Sequence, residues 1–289
     1  MRTARESAGL GLLIVALVAL AAVVVSDGGA PRQHRPLLDF ENTVFSQAGE
    51  DGILERIFQL VEPTRRFAIE FGAGEGIDMS NVRKLIVREG WGGLLIEGDD
   101  ELAQRLRDNY LEYPAVRTLQ AWVYPANVEL LFEENGVPRD LDLLVIDIDS
   151  NDYYIWRAIR DFRPKVVMVE YNGTFAPPQR MVIAFHPMTW WGEEDFHFGA
   201  SIQSLYELGK RKGYELVATN SRGVNLFFVD RQYYPRFGIS DNSPAALFRP
   251  YNLGPTYSPE DIEAGTAPPP SEDIVMPEVG IWKRYRFDR

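Results

Sequence analysis

The sequence predicts a doubly wound, mostly parallel α/β sheet, and three observations predict it. Short continuous apolar runs such as Leu143-Leu144-Val145-Ile146 and Val166 to Val169 lack the polar alternation of a half-exposed strand, which marks strands covered on both faces. Between such runs stand segments whose apolar residues recur every three or four positions, the period of a helix lying on a core. The last two runs, Tyr214 to Thr219 and Val224 to Val229, are joined by Asn220-Ser221-Arg222-Gly223, turn chemistry that folds a hairpin and sets the final strand antiparallel.

Taken in order, Ile53, Ile57 and Leu60 mark a first helical face. Phe67 to Phe71 reads as a strand running into Gly72-Ala73-Gly74-Glu75-Gly76. Val82, Leu85 and Ile86 predict a helix with Ser80 or Asn81 as N-cap and Gly90 closing it. Leu94 to Glu97 is a buried strand, Leu102, Leu106 and Tyr110 a helical face, and Val116 to Leu119 a short strand. Val128, Leu131 and Phe132 give a helix stopped at Gly136. After the strand Leu143 to Asp147, Ile155, Ala158, Ile159 and Phe162 lie at i, i+3, i+4 and i+7, predicting a helix ended by Pro164. Val166 to Glu170 is a strand, and Ile202, Leu205 and Leu208 form a helix capped by Ser201 and ended by Gly213. The predicted domain spans residues 38–231; residues 232–289, rich in Pro and Tyr and including Pro268-Pro269-Pro270, form a C-terminal extension without a clear period.

The N-terminus differs in composition. Ala8 to Val25 is a run of 18 residues without a charge. As a helix it spans about 27 Å at about 1.5 Å per residue, close to one hydrocarbon core. Residues 1–26 are expected to be a single-pass membrane anchor, with a signal peptide as the alternative, and residues 27–37 a linker. Arg2 and Arg5 precede the run and Arg32 and Arg35 follow it, so positive charge does not orient it.

Net charge is −12, from 30 basic and 42 acidic residues, which argues against a general nucleic-acid binder. The absence of cysteine removes disulfides, thiolate zinc sites and cysteine nucleophiles together. Residues 1–35 carry four Arg against Glu6 and Asp27, so the remainder carries −14.

Part of that acidity is placed by the fold class, because ligands of open α/β sheets bind at the carboxyl ends of the strands. Glu70, Glu97, Asp147 and Glu170 all stand at predicted strand ends, with Glu75, Asp99, Asp149 and Asp152 just beyond. Gly72, Gly74 and Gly76 allow a tight turn and close approach of a ligand to main-chain N–H groups. Glu97, 21 residues after Gly76, suits the two hydroxyls of a ribose. Dinucleotide sites use G-x-G-x-x-G, whereas here the third glycine comes one residue early and Glu70 and Glu75 would repel a pyrophosphate. A sulfonium cofactor without phosphate, S-adenosylmethionine (SAM), suits this loop better.

At this point Glu70-Phe-Gly-Ala-Gly-Glu-Gly-Ile-Asp-Met-Ser-Asn-Val82, followed by Glu89-Gly-Trp-Gly-Gly-Leu-Leu-Ile-Glu97, resembles the FkbM-type SAM-dependent methyltransferases. Phe45-Ser-Gln-Ala-Gly-Glu-Asp-Gly52 is similar to their entry segment, and Gly199-Ala-Ser201, Gly213-Tyr214 and Asn225-Leu-Phe-Phe-Val229 to their closing helix and hairpin. Val82 departs from the family, where Thr is common. The resemblance covers about residues 40–230. It implies a seven-stranded, Rossmann-like class I methyltransferase sheet and O-methylation of a hydroxyl; it does not carry over the acceptor, and a sugar, a glycan and a small metabolite all stay open. By it, Glu70, Gly72, Gly74, Gly76 and Glu97 would line the cofactor, and Asp147 would sit near its methionine end.

Methyl transfer asks the protein for alignment and a base for the acceptor hydroxyl. Asp149, Glu170 and His186 are the candidates. The long segment Thr174 to Phe198, with Trp190, Trp191 and His197, suits an acceptor pocket or lid. A divalent metal on Asp147, Asp149 and Asn172, with Glu170 nearby, would lower the hydroxyl's pKa; the competing reading has Asp149, Ser150 and Asn151 capping the next helix. An EF-hand is excluded, since position 6 from Asp147 is Asp152 and position 12 is Ala158. Asn172-Gly173-Thr174 is a glycosylation sequon at a strand end within the site, and reads as coincidence.

Two other functions remain open: a membrane-anchored glycosyltransferase using Asp147-Ile-Asp149 as a metal-binding D-x-D, and a catalytically silent SAM-fold binding module. Because SAM is made in the cytosol, the soluble domain is expected to face it.

Overall fold

The computed structural model describes residues 35–187, 198–252 and 283–284. The expected membrane segment, the residues Trp190, Trp191 and His197, and most of the C-terminal extension lie outside the described residues. Among the described residues no helix is long and apolar enough to cross a membrane.

The chain alternates as predicted: α1 (Glu50–Leu60), β1 (Phe67–Phe71), α2 (Arg83–Glu89), β2 (Gly92–Glu97), α3 (Asp100–Asn109), β3 (Val116–Gln120), α4 (Val128–Glu134), β4 (Leu143–Ile146), α5 (Asp152–Ala158), β5 (Val166–Glu170), α6 (Ile202–Lys212), β6 (Tyr214–Thr219) and β7 (Asn225–Asp230). The strands form one seven-stranded sheet in the spatial order β3-β2-β1-β4-β5-β7-β6. β1 to β5 pair in parallel, and β7 lies antiparallel between β5 and β6. The order reverses at β1 and β4, so the crevice beyond their carboxyl ends is the switch point where a Rossmann-like sheet takes its ligand.

Side-chain alternation splits the core in two. Ile69, Phe71, Leu144, Ile146, Val167 and Val169 pack toward α4, α5 and α6, whereas Ala68, Val145 and Met168 pack toward α1, α2 and α3. By the same alternation Glu70 and Glu170 belong to the second face.

Three local expectations change. Helix α2 starts at Arg83 with Val82 as an uncapped N-cap, and the Ser80 hydroxyl and the Asn81 N–H donate to Glu70. Helix α5 ends at Ala158, short of the predicted Phe162, and Ile159 is extended. The reason is α4: Glu129 Oε1 accepts the N–H groups of Arg160 at 2.7 Å and Asp161 at 2.6 Å, peeling the chain off the helix. At the start of α5, Asn151 makes no side-chain cap bond. Asp152 reaches back to accept Ile148 N–H at 3.0 Å and Ser150 N–H at 3.1 Å, which folds the loop before the helix rather than capping it. The predicted caps at Ser201 and Gly213 of α6 form. Far along the chain, Lys283–Arg284 pairs antiparallel with Met181–Val182, so the extension returns to the domain.

Candidate active site

The loop after β1 is built by glycines in the left-handed region, Gly72 at φ +62° and Gly74 at φ +54°. They serve different ends. A Cβ on Gly72 would stand 2.0 Å from the Asp147 carbonyl oxygen, so only glycine lets the loop cross directly over the end of β4. Among the described residues a Cβ on Gly74 would meet nothing within 4 Å, so this turn of backbone faces open space. Gly76 instead packs on Leu106 of α3 and on Tyr110, its C-cap.

Glu97, half-buried at the end of β2, grips this loop. Its Oε2 accepts the Gly74 N–H at 2.8 Å and its Oε1 accepts the Asp99 N–H at 2.8 Å. A carboxylate oxygen has two lone-pair sites, so each oxygen retains one for a ligand hydroxyl. Beside it the Trp122 indole covers Gly98, where a Cβ would stand 2.7 Å from Cδ2, and the side chain is 54% exposed. Trp122 was not among the residues picked from sequence; its signal is an aromatic just past β3, on the ligand edge of the sheet.

Glu70 lies behind the loop rather than in it. It is 2% exposed, and its carboxylate accepts the Ser80 hydroxyl at 2.8 Å and the Asn81 N–H at 2.7 Å. Burial pushes its pKa up to about 7. Glu70, expected to line the cofactor, ties β1 to the approach of α2, because alternation on β1 points it into the α1–α2–α3 face. The entry segment is structural in the same sense. Asp51 accepts the N–H groups of Val44, Phe45 and Ser46 at 2.7–2.9 Å. Glu50, fully buried, accepts Ala48 N–H at 2.6 Å and the side-chain amides of Asn220 and Asn225 at 2.8 and 3.0 Å.

At the ends of β4 and β5, one carboxylate oxygen each of Asp147, Asp149 and Glu170 lie within 4.8 Å of one another. Asp149 is exposed and adopts φ +58°, while Asp147 is half-buried and Glu170 is 6% exposed. Removal from water, reinforced by neighbouring charge, Asp149 first for Asp147 and Asp147 first for Glu170, holds the pKa values of both well above the ordinary range. Asn172, expected as a metal ligand, is directed elsewhere. Its Oδ1 accepts Thr174 N–H at 3.0 Å and the Thr174 hydroxyl at 2.5 Å, and its Nδ2 donates to Phe198 O. Those local bonds close an Asx-type turn, and Glu170 takes the expected place beside the two aspartates.

His186 is exposed, and its carbonyl accepts Asn151 Nδ2 at 3.0 Å. It is not one of the residues whose ligand atoms converge. Just downstream of the Asp149 loop lies a cavity of about 620 Å³ lined by Tyr124, Tyr154, Arg157 and Phe185 among others. Tyr154 and Phe185 meet edge to face at 5.4 Å, and Arg157 stands 5.3 Å from the Tyr154 ring centre. Phe185 brings part of the predicted Thr174–Phe198 segment to this wall.

No family model matches the chain, and no curated protein matches it. Among solved structures, the N-terminal domain of EvdMO1 with SAH bound is similar at 18% identity and a TM-score of 0.40 over 65% of this chain and 82% of that one. A SAM-dependent methyltransferase from Clostridium acetobutylicum is similar at 9% identity and TM-score 0.40, over 62% and 89%. The mitomycin 7-O-methyltransferase MmcR follows at 15% and 0.37, over 63% of this chain and 56% of that one. At TM-scores this low, strand order rather than overall superposition defines the fold.

Proposed function

We propose that the domain is a SAM-dependent methyltransferase acting on a hydroxyl of a small molecule, sugar or glycan. The observation that carries this reading is Glu97, which clamps the glycine loop through Gly74 N–H and keeps lone pairs for a ribose diol beside the open face of Gly74. A ribose held there would direct the methionine arm toward Gly72 and the end of β4. The acids around that end, with Asp147 foremost, favour a sulfonium over a pyrophosphate.

In the reaction the acceptor oxygen forms its bond to the methyl carbon as the sulfur–methyl bond breaks. The electron pair of that bond stays on sulfur, leaving S-adenosylhomocysteine (SAH), and the hydroxyl proton passes to a base. We assign that role to Asp149 or Glu170, whose oxygens converge with that of Asp147; the aromatic cavity beside α5 suits a sugar or ring-bearing acceptor, stacked on Tyr154 or Phe185.

Calorimetric titration of the purified chain tests the reading. SAH should bind saturably, and a nucleotide sugar titrated into the chain already saturated with Mn²⁺ should give no further heat. Heat from the sugar nucleotide alone would replace this reading with the D-x-D glycosyltransferase, and heat from neither would leave a silent SAM-fold module. We also infer from Ala8 to Val25 that the chain is tethered to a membrane with its domain in the cytosol. A reporter fused after Arg289 that is active only outside the cytosol would contradict that orientation.

A further inference from the structure

We propose that Asp147, Asp149 and Glu170 form a binding site for one hard divalent cation, and that this cation seats the acceptor hydroxyl. The acidic cluster alone would not establish a site; Glu170 supplies the second observation. It is 6% exposed, and among the described residues its Oε2 has no hydrogen-bond partner. An unpartnered carboxylate oxygen buried in protein carries a large desolvation penalty unless a cation or donor completes it.

The spacing is compatible with a cation. Oxygens on opposite sides of a metal ion stand twice the bond length apart, about 4.1 Å for Mg²⁺ and about 4.6–5.2 Å for Ca²⁺. The three oxygens here lie within 4.8 Å of one another. All three donors are carboxylates, the ligand class of hard cations rather than of zinc or copper. Asp149 is exposed, so the outer side of the site is open to water or a substrate oxygen. This is the topological switch edge of the sheet, and a hydroxyl bound there would lose its proton more readily. The cation's role toward the acceptor rests on the methyltransferase reading, whereas its binding does not.

The test is a Mn²⁺ titration of the chelator-treated full chain, followed by the paramagnetic signal of free Mn²⁺, with Mg²⁺ as competitor. One Mn²⁺ per chain should bind and be displaced by Mg²⁺. Glu170→Gln and Asp149→Asn should each weaken binding at least tenfold; Asp149 is exposed, so its variant keeps the test valid if Glu170→Gln fails to fold. Glu133→Gln, at an exposed ion pair with Arg139, should bind as the parent does. No saturable Mn²⁺ binding, or equal loss in Glu133→Gln, overturns the proposal. SAH binding is measured on the same samples. Mn²⁺ without SAH removes the methyltransferase reading and leaves the cation site standing, and SAH without Mn²⁺ does the reverse.

Discussion

Replacing Gly74 by Ala separates folding from cofactor binding, because of where the added methyl would go. The φ of +54° costs a non-glycine residue about 1 kcal/mol. No atom of the described residues lies within 4 Å of the new Cβ, so no clash with them adds to that cost. For a domain of this size about 1 kcal/mol lowers Tm by about 2–4 °C. A cofactor lying against this face meets the methyl directly. Displaced by about 1 Å, it loses alignment with Glu97, and a hydrogen bond to a charged group contributes about 1.5–3 kcal/mol. That corresponds to about a 10- to 100-fold weaker Kd for SAH, measured by calorimetry beside a thermal melt. Gly72→Ala is the contrast: its methyl would stand 2.0 Å from the Asp147 carbonyl, so it should unfold or misplace the loop rather than selectively lose ligand. An unchanged SAH affinity in a folded Gly74→Ala protein would refute the placement of the cofactor on this face.

Glu97→Gln places an amide where both oxygens now accept N–H groups; SAH affinity should fall about 10- to 100-fold by calorimetry. Glu70 has its pKa raised from an ordinary 4.5 to about 7 in the folded state, so the stability it contributes is full below about pH 4.5 and is lost as pH rises through about 7. Denaturant unfolding from pH 4 to 8 should therefore show Glu70→Gln gaining about 3 kcal/mol relative to the parent, the difference levelling off above pH 7. Comparing the two proteins cancels the similar contribution of Asp152, whose pKa burial also raises to about 7. Glu50→Ala strands the amides of Asn220 and Asn225 and the Ala48 N–H, and should cost about 3–5 kcal/mol in a thermal or urea melt.

Most of the elements were legible because their signals are local. Apolar runs, continuous in β4 and β5 and broken by polar residues in β3 and β6, found every strand of the main sheet, and Ser201 and Gly213 framed α6 correctly. Helix α5 was overextended because Ile159 and Phe162 keep the helical period while facing the same core without a helix between them. What stops that helix is a carboxylate on α4, about 30 residues earlier in the chain, and no local pattern records it. The glycine loop and Glu97 could be placed together from spacing. That Gly74 alone among the three opens outward depends on Asp147 behind Gly72 and on Leu106 and Tyr110 behind Gly76.

The sequence by itself determined the order of strands and helices, the switch edge and the family of acids gathered along it. Only the tertiary structure divided those acids by task. Glu50, Asp51 and Glu70 hold the scaffold, Asp152 turns the loop before α5, Glu97 grips the glycine turn, and Asp147, Asp149 and Glu170 converge. The reason is physical: a carboxylate's role follows from which donors and which dielectric surround it, and those are supplied by residues brought from elsewhere in the chain.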